Sequence, residues 1–181
     1  MSLTEEKPDI KKTRISVTPI DSLASQITAR HFTLISDEKP WNGGQDRGPS
    51  PLEYLMTSLG AWLNISTARL AAKIRFQYDH LNIEAEGHLD RRGRRSTANV
   101  PVHFNYVRVF IKIKTDEIDK KLNRFITMVE KYCPVDSLFK AAIPDYKIIW
   151  ERIWWVVLYG HSLLRLVLDY SKQLIEKLSF R

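Results

Sequence analysis

The only thiol in the chain is Cys133, set in Glu130-Lys131-Tyr132-Cys133-Pro134-Val135. A thiolate is a nucleophile, and one that solvent can reach beside a cation or a helix N-terminus is readily oxidised by peroxides. A single cysteine allows no intrachain disulfide, which fits a reducing, cytoplasmic interior. A free cysteine is also commonly an inert buried group, and that reading stands beside the reactive one. The second residue able to do chemistry is Glu53, three places after Ser50. Its carboxylate can orient a reacting group, yet Ser50-Pro51-Leu52-Glu53 is first of all a capping box with proline at the first helical position. The histidines, His31, His80, His88, His103 and His161, show no ligand spacing, so neither a metal nor a cofactor is expected.

Charge adds one more candidate. The net charge is +7, and Arg91-Arg92-Gly93-Arg94-Arg95 supplies four positive charges within five residues. Such a run either meets an anionic partner or forms the solvated tip of a hairpin. No aromatic residue interleaves the arginines to stack on bases, so the hairpin tip is the expectation and a nucleic-acid partner is not.

These residues need a scaffold, and the patterning supplies one. Arg14 to Val17 and Gln26 to Leu34 read as strands, with Pro19 and Asp21 marking the turn between them. Residues 37–51 are rich in breakers and read as an ordered loop. From Pro51 to about Ile74 only Gly60 disfavours a helix, and apolar residues cover so much of its circumference that burial on several sides is expected. Residues 81–89 alternate as a half-exposed strand. Val102, Phe104 and Tyr106 alternate on one phase and Val107 to Ile113 on the other, which predicts a bulge near Tyr106 and Val107. A second helix opens at Asp116, a shorter one spans Ser137 to Ile143, and a strand from Tyr146 to about Arg152 completes a domain over 1–152.

Residues 153–181 read as a separate amphipathic helical extension, with Leu163, Val167, Tyr170, Leu174 and Leu178 on one face. Its uncharged stretch, 153–164, falls well short of the ~20 residues that span a bilayer, so no transmembrane segment is expected. The polar, acidic first residues do not read as a secretory signal.

Two segments carry a family likeness. Gly43-Gly44 followed by Gly48-Pro49-Ser50-Pro51-Leu52-Glu53-Tyr54-Leu55-Met56-Thr57-Ser58-Leu59-Gly60-Ala61 resembles the glycine loop and helix start of the OsmC/Ohr family of thiol-dependent peroxidases. Glu130 to Val135 is similar to that family's distal Cys-Pro segment. The resemblance implies an α+β, two-layer fold, built as an intertwined homodimer with central buried helices flanked by antiparallel sheets. It implies a stress-response hydroperoxide reductase, in which a peroxidatic thiolate becomes a sulfenic acid resolved by a second cysteine, aided by an arginine and a glutamate. Carried over by residue, Cys133 matches the resolving cysteine and Glu53 the glutamate. Trp62 stands where the reactive cysteine belongs, reading as a core residue that fills the former pocket. The early turn that would bring the arginine holds none, and Arg14 and Arg30 are too distant to assign. The two-cysteine cycle is therefore closed to this chain. Three functions stay open: a non-catalytic protein binding a small hydrophobic molecule near Trp62, a one-cysteine peroxidase acting on an organic hydroperoxide through Cys133, and an interaction protein using the arginine run and the C-terminal helix.

Overall fold

The computed structural model describes residues 9–154, so the C-terminal extension lies outside the described residues apart from Ile153 and Trp154. The chain divides into two compact units at Thr57 and Ser58, inside the long helix.

The first unit is a three-stranded antiparallel sheet, β1 (Ser16–Pro19), β2 (Ser25–Ala29) and β3 (Phe32–Ser36), followed by a loop. The expected single strand over 26–34 is in fact two, because the chain reverses at Arg30, whose φ of 60° is left-handed. Across this sheet Val17 pairs with Ile27 and Ile27 with Leu34, while Ala29 pairs with Phe32. Alternation puts all five on one face, and Val17, Phe32 and Leu34 are exposed there.

The loop after β3 folds over itself through two glycines. A methyl on Gly44 would lie 1.8 Å from the Glu38 carbonyl oxygen, and one on Gly48 would lie 2.2 Å from that of Ile35. No side chain fits at either place. The loop feeds helix α1 (Pro51–Ile74), which the sequence places correctly at both ends. It stops at Arg75, left-handed at φ 54°, where Phe76 N–H reaches back to the Ala71 carbonyl at 2.9 Å. That six-to-one bond is the Schellman closure, made here without glycine.

In the second unit, α1 is followed by β4 (His80–His88), the short helix α2 (Arg91–Arg94), β5 (Tyr106–Lys114), α3 (Asp119–Tyr132), α4 (Pro134–Ala142) and β6 (Asp145–Arg152). Strand β5 is central: it pairs antiparallel with β4 and parallel with β6. Val107, Val109, Ile111 and Ile113 are completely buried along one side of it. They meet a core that includes Leu122, Phe125 and Val129 of α3, and Phe125 stacks on Phe76 with ring centres 4.0 Å apart.

Four expectations are corrected here. The strand starts at Tyr106, so the phase change before it marks a strand end and no bulge forms. The second helix opens at Asp119 behind Ile118, since Asp116 and Glu117 belong to a turn tied to Gln77 and Thr115. The arginine run is a helical turn within the β4 to β5 connection, capped by Asp90, and no tight tip forms. Helix α1 buries one stripe, Leu59, Leu63, Thr67, Leu70 and Ala71, and leaves Leu52, Leu55 and Ile65 exposed. The apolar remainder of its circumference is uncovered within this chain.

Candidate functional site

Glu53 sits in the first turn of α1 and completes the capping box. Its carboxylate accepts the Ser50 backbone N–H at 2.8 Å and the Ser50 hydroxyl at 2.9 Å, while its own N–H points to Ser50 Oγ at 3.4 Å. Lys39 Nζ lies 3.2 Å from the other oxygen. The Ser50 bonds first, and Lys39 after them, hold the Glu53 carboxyl below its usual range. These residues, with Arg47 and Asp46, edge an open polar cleft of about 520 Å³.

Arg47 is the functional candidate that sequence reasoning missed. It lies in the loop and not in the early turn, yet it reaches that turn: its guanidinium pairs with Asp21 there, and its Nε lies 2.9 Å from Asp37 Oδ2. Asp37 is buried and also accepts the backbone N–H groups of Glu38, Gln45 and Arg47. Asp21 Oδ1 accepts the N–H groups of Leu23 and Ala24. These bonds, with the help of Arg47, lower the Asp21 carboxyl to about 2. A loop position carries no periodicity, so only the acidic partners Asp21 and Asp37 could have hinted at it. Arg14 and Arg30 are exposed and stand on neither side of this arrangement.

Trp62 is not sealed in the core. It is half-buried and forms one wall of an apolar groove between α1 and α3, completed by Leu70, Met128, Val129 and Tyr132, with a volume of about 190 Å³. Arg69 and Lys73, one helical turn apart on α1, stand at its edge.

Cys133 is completely buried at the junction of α3 and α4. It is the N-cap of α4, its sulfur accepting the Asp136 backbone N–H at 3.5 Å. The buried carboxylate of Asp136 accepts the Tyr146 hydroxyl and lies 2.9 Å from Lys140 Nζ. Lys140 also reaches Glu130 at 3.2 Å, and Glu130 accepts the Trp150 indole N–H at 3.1 Å. Burial, then the bond to Asp136, pushes the Tyr146 hydroxyl far above its usual range, so it remains a donor. The thiol is thus walled in by a polar network whose members bond one another.

Among the described residues no group of three or more histidine, cysteine, aspartate or glutamate side chains is arranged to hold a metal ion, and no helix is long and apolar enough to cross a membrane.

The family model described as OsmC-like protein matches residues 43–145. The chain is similar in structure to an OsmC-like protein from Mycoplasma pneumoniae, with 18% identity and a TM-score of 0.63, over 79% of this chain and 96% of that one. An organic hydroperoxide resistance protein from Elizabethkingia anophelis matches at 10% identity and TM-score 0.62, over 81% of this chain and 100% of its own. The organic hydroperoxide resistance protein OhrB of Bacillus subtilis matches at 14% identity and TM-score 0.54, over 78% and 98%. No curated protein sequence matches the chain.

Proposed function

The chain belongs to the OsmC-like protein family, and from that premise we propose that it is a homodimeric, cytoplasmic member that has given up thiol peroxidase chemistry and binds a small hydrophobic molecule in the groove at Trp62. One observation carries this reading: Trp62, standing where the family's reactive cysteine is expected, is a wall of an apolar groove. An indole there cannot form a sulfenic acid, but it offers a large flat surface to an apolar ligand. The enclosure of Cys133 supports the same reading, since a peroxide has no approach to a thiol with no exposed surface. Glu53 then serves chiefly as a capping residue, and residues 153–181 as an extension outside the family domain.

The dimer is supported by surface left uncovered within one chain. Val17, Phe32 and Leu34 on the first sheet, and Leu52, Leu55 and Ile65 on α1, are exposed, and burying them against a second copy removes apolar area from water. Phe32→Glu is expected to convert a dimer to a monomer in sedimentation velocity; a wild-type monomer removes this part of the proposal.

A one-cysteine peroxidase is the second reading, favoured by the placement of Cys133 at a helix N-terminus, where an anion is stabilised. The deciding experiment mixes the protein with cumene hydroperoxide and a thiol reductant, with Cys133→Ser as control. We expect equal, slow consumption by both proteins, and alkylation of Cys133 by iodoacetamide only as the protein unfolds. Saturable sulfenic acid formation in the wild type would establish the peroxidase instead.

A further inference from the structure

We propose that the groove between α1 and α3 selects a small aromatic carboxylate of about one ring, an inference that rests on the ligand-binding reading above and names the ligand's chemistry. Size comes first. At about 190 Å³ the groove is little larger than the roughly 150 Å³ cavity that accepts benzene, and smaller than the ~300 Å³ at which sites for drug-sized molecules begin. A long acyl chain does not fit within it. A single ring does.

The walls argue for an aromatic ring. Trp62 and Tyr132 offer π faces or edges, and Met128 offers a polarisable thioether that favours ring contact. Leu70 and Val129 close the floor from α1 and α3, and both are buried.

Charge argues for the carboxylate. Arg69 and Lys73 are four residues apart on one helix, both exposed at the groove, and neither is ion-paired with a carboxylate among the described residues. Like charges at that spacing repel, so an anion seated beside them relieves the repulsion as well as gaining two cationic partners. Arg69 brings a planar fork suited to two carboxylate oxygens, and Lys73 a point charge. The ion pairs around the polar cleft are closed among themselves; these two cations are open to a ligand.

The test uses the full chain and two probes, benzoate and the neutral benzyl alcohol. Binding is followed by the indole N–H resonance of Trp62, assigned by its loss in Trp62→Phe. Benzoate is expected to saturate the shift and to bind at least tenfold more tightly than benzyl alcohol. In Arg69→Gln/Lys73→Gln, benzoate should weaken at least tenfold while benzyl alcohol is unchanged. Both positions are exposed, so the variant should fold, and its circular dichroism checks this. Should it not fold, the wild type decides: benzoate affinity must fall as sodium chloride rises from 50 to 500 mM. Benzyl alcohol binding as tightly as benzoate, or benzoate indifferent to both the double substitution and salt, overturns the carboxylate assignment and leaves an apolar site. Neither probe binding overturns the site itself.

Discussion

The two units of this chain are held together by different physics. In residues 58–154 the buried side chains are overwhelmingly apolar, running from Leu59 through the central strand β5 to Ile153. In residues 9–57 the buried residues are Ala24, Ser36 and Asp37. The first unit has almost no hydrophobic interior of its own. Its order comes from backbone pairing, from two glycines that let strands of loop touch, and from a carboxylate that gathers four bonds. Polar closure of this kind fixes geometry well but contributes little net stability, because each bond replaces one made to water. A unit built so depends on whatever covers its apolar face, which is why Val17, Phe32 and Leu34 carry the dimer proposal.

That contrast can be broken in four places. The largest expected effect is in the second unit: Phe125→Ala removes a ring stacked on Phe76 and edge-on to Trp150, and should cost roughly 3–5 kcal/mol in urea unfolding. In the first unit, Gly44→Ala places a methyl against the Glu38 carbonyl, and a loss of about 1–3 kcal/mol is expected. The amide resonances of residues 37–47 should move while those of β5 stay in place. Ser50→Ala breaks both halves of the capping box and should cost about 1 kcal/mol. A loss near zero would mean that Lys39 alone is enough to hold Glu53.

The smallest effect is a dependence on acidity. Asp21 titrates near 2 in the folded chain against an ordinary 3.8, so the folded state holds its proton less tightly than the unfolded one. The stability it contributes is complete above about pH 4 and fades as pH falls toward 2. Hydrogen exchange at Leu23 and Ala24 should accelerate over that window, and Asp21→Asn should abolish the dependence. An unchanged profile in that variant would assign the loosening to Asp37.

How much of this was legible in the sequence follows the same division. Helix α1 was readable to the residue at its start, because Ser50, Pro51 and Glu53 act locally. The β4 and β6 strands were readable from alternation. The Arg30 reversal was not, since arginine before histidine carries none of the Asn-Gly chemistry that marks a hairpin. Arg47 was invisible because its partners, Asp21 and Asp37, are brought to it only by tertiary structure. Trp62 was recognisable as a replacement, but whether it filled a core or walled a groove depended on what α3 places opposite it. Cys133 was foreseen as buried or reactive, and the network that encloses it spans Glu130, Asp136, Lys140, Tyr146 and Trp150, too dispersed to read as a cluster.

The parallel pairing of β5 with β6 has a consequence for how the chain acquires its shape. The antiparallel partner β4 is joined to β5 through residues 89–105, whereas β6 returns only after residues 115–144, with α3 and α4 formed between them. Closing the longer connection costs more chain entropy before any ladder bond repays it. The β4–β5 ribbon is therefore placed to assemble early, and β6 to zip in late, carrying Tyr146 and Trp150 to Asp136 and Glu130. Until that last strand arrives, the edge of β5 is an open template for another chain, and the interval before β6 docks is when this protein is most exposed to aggregation.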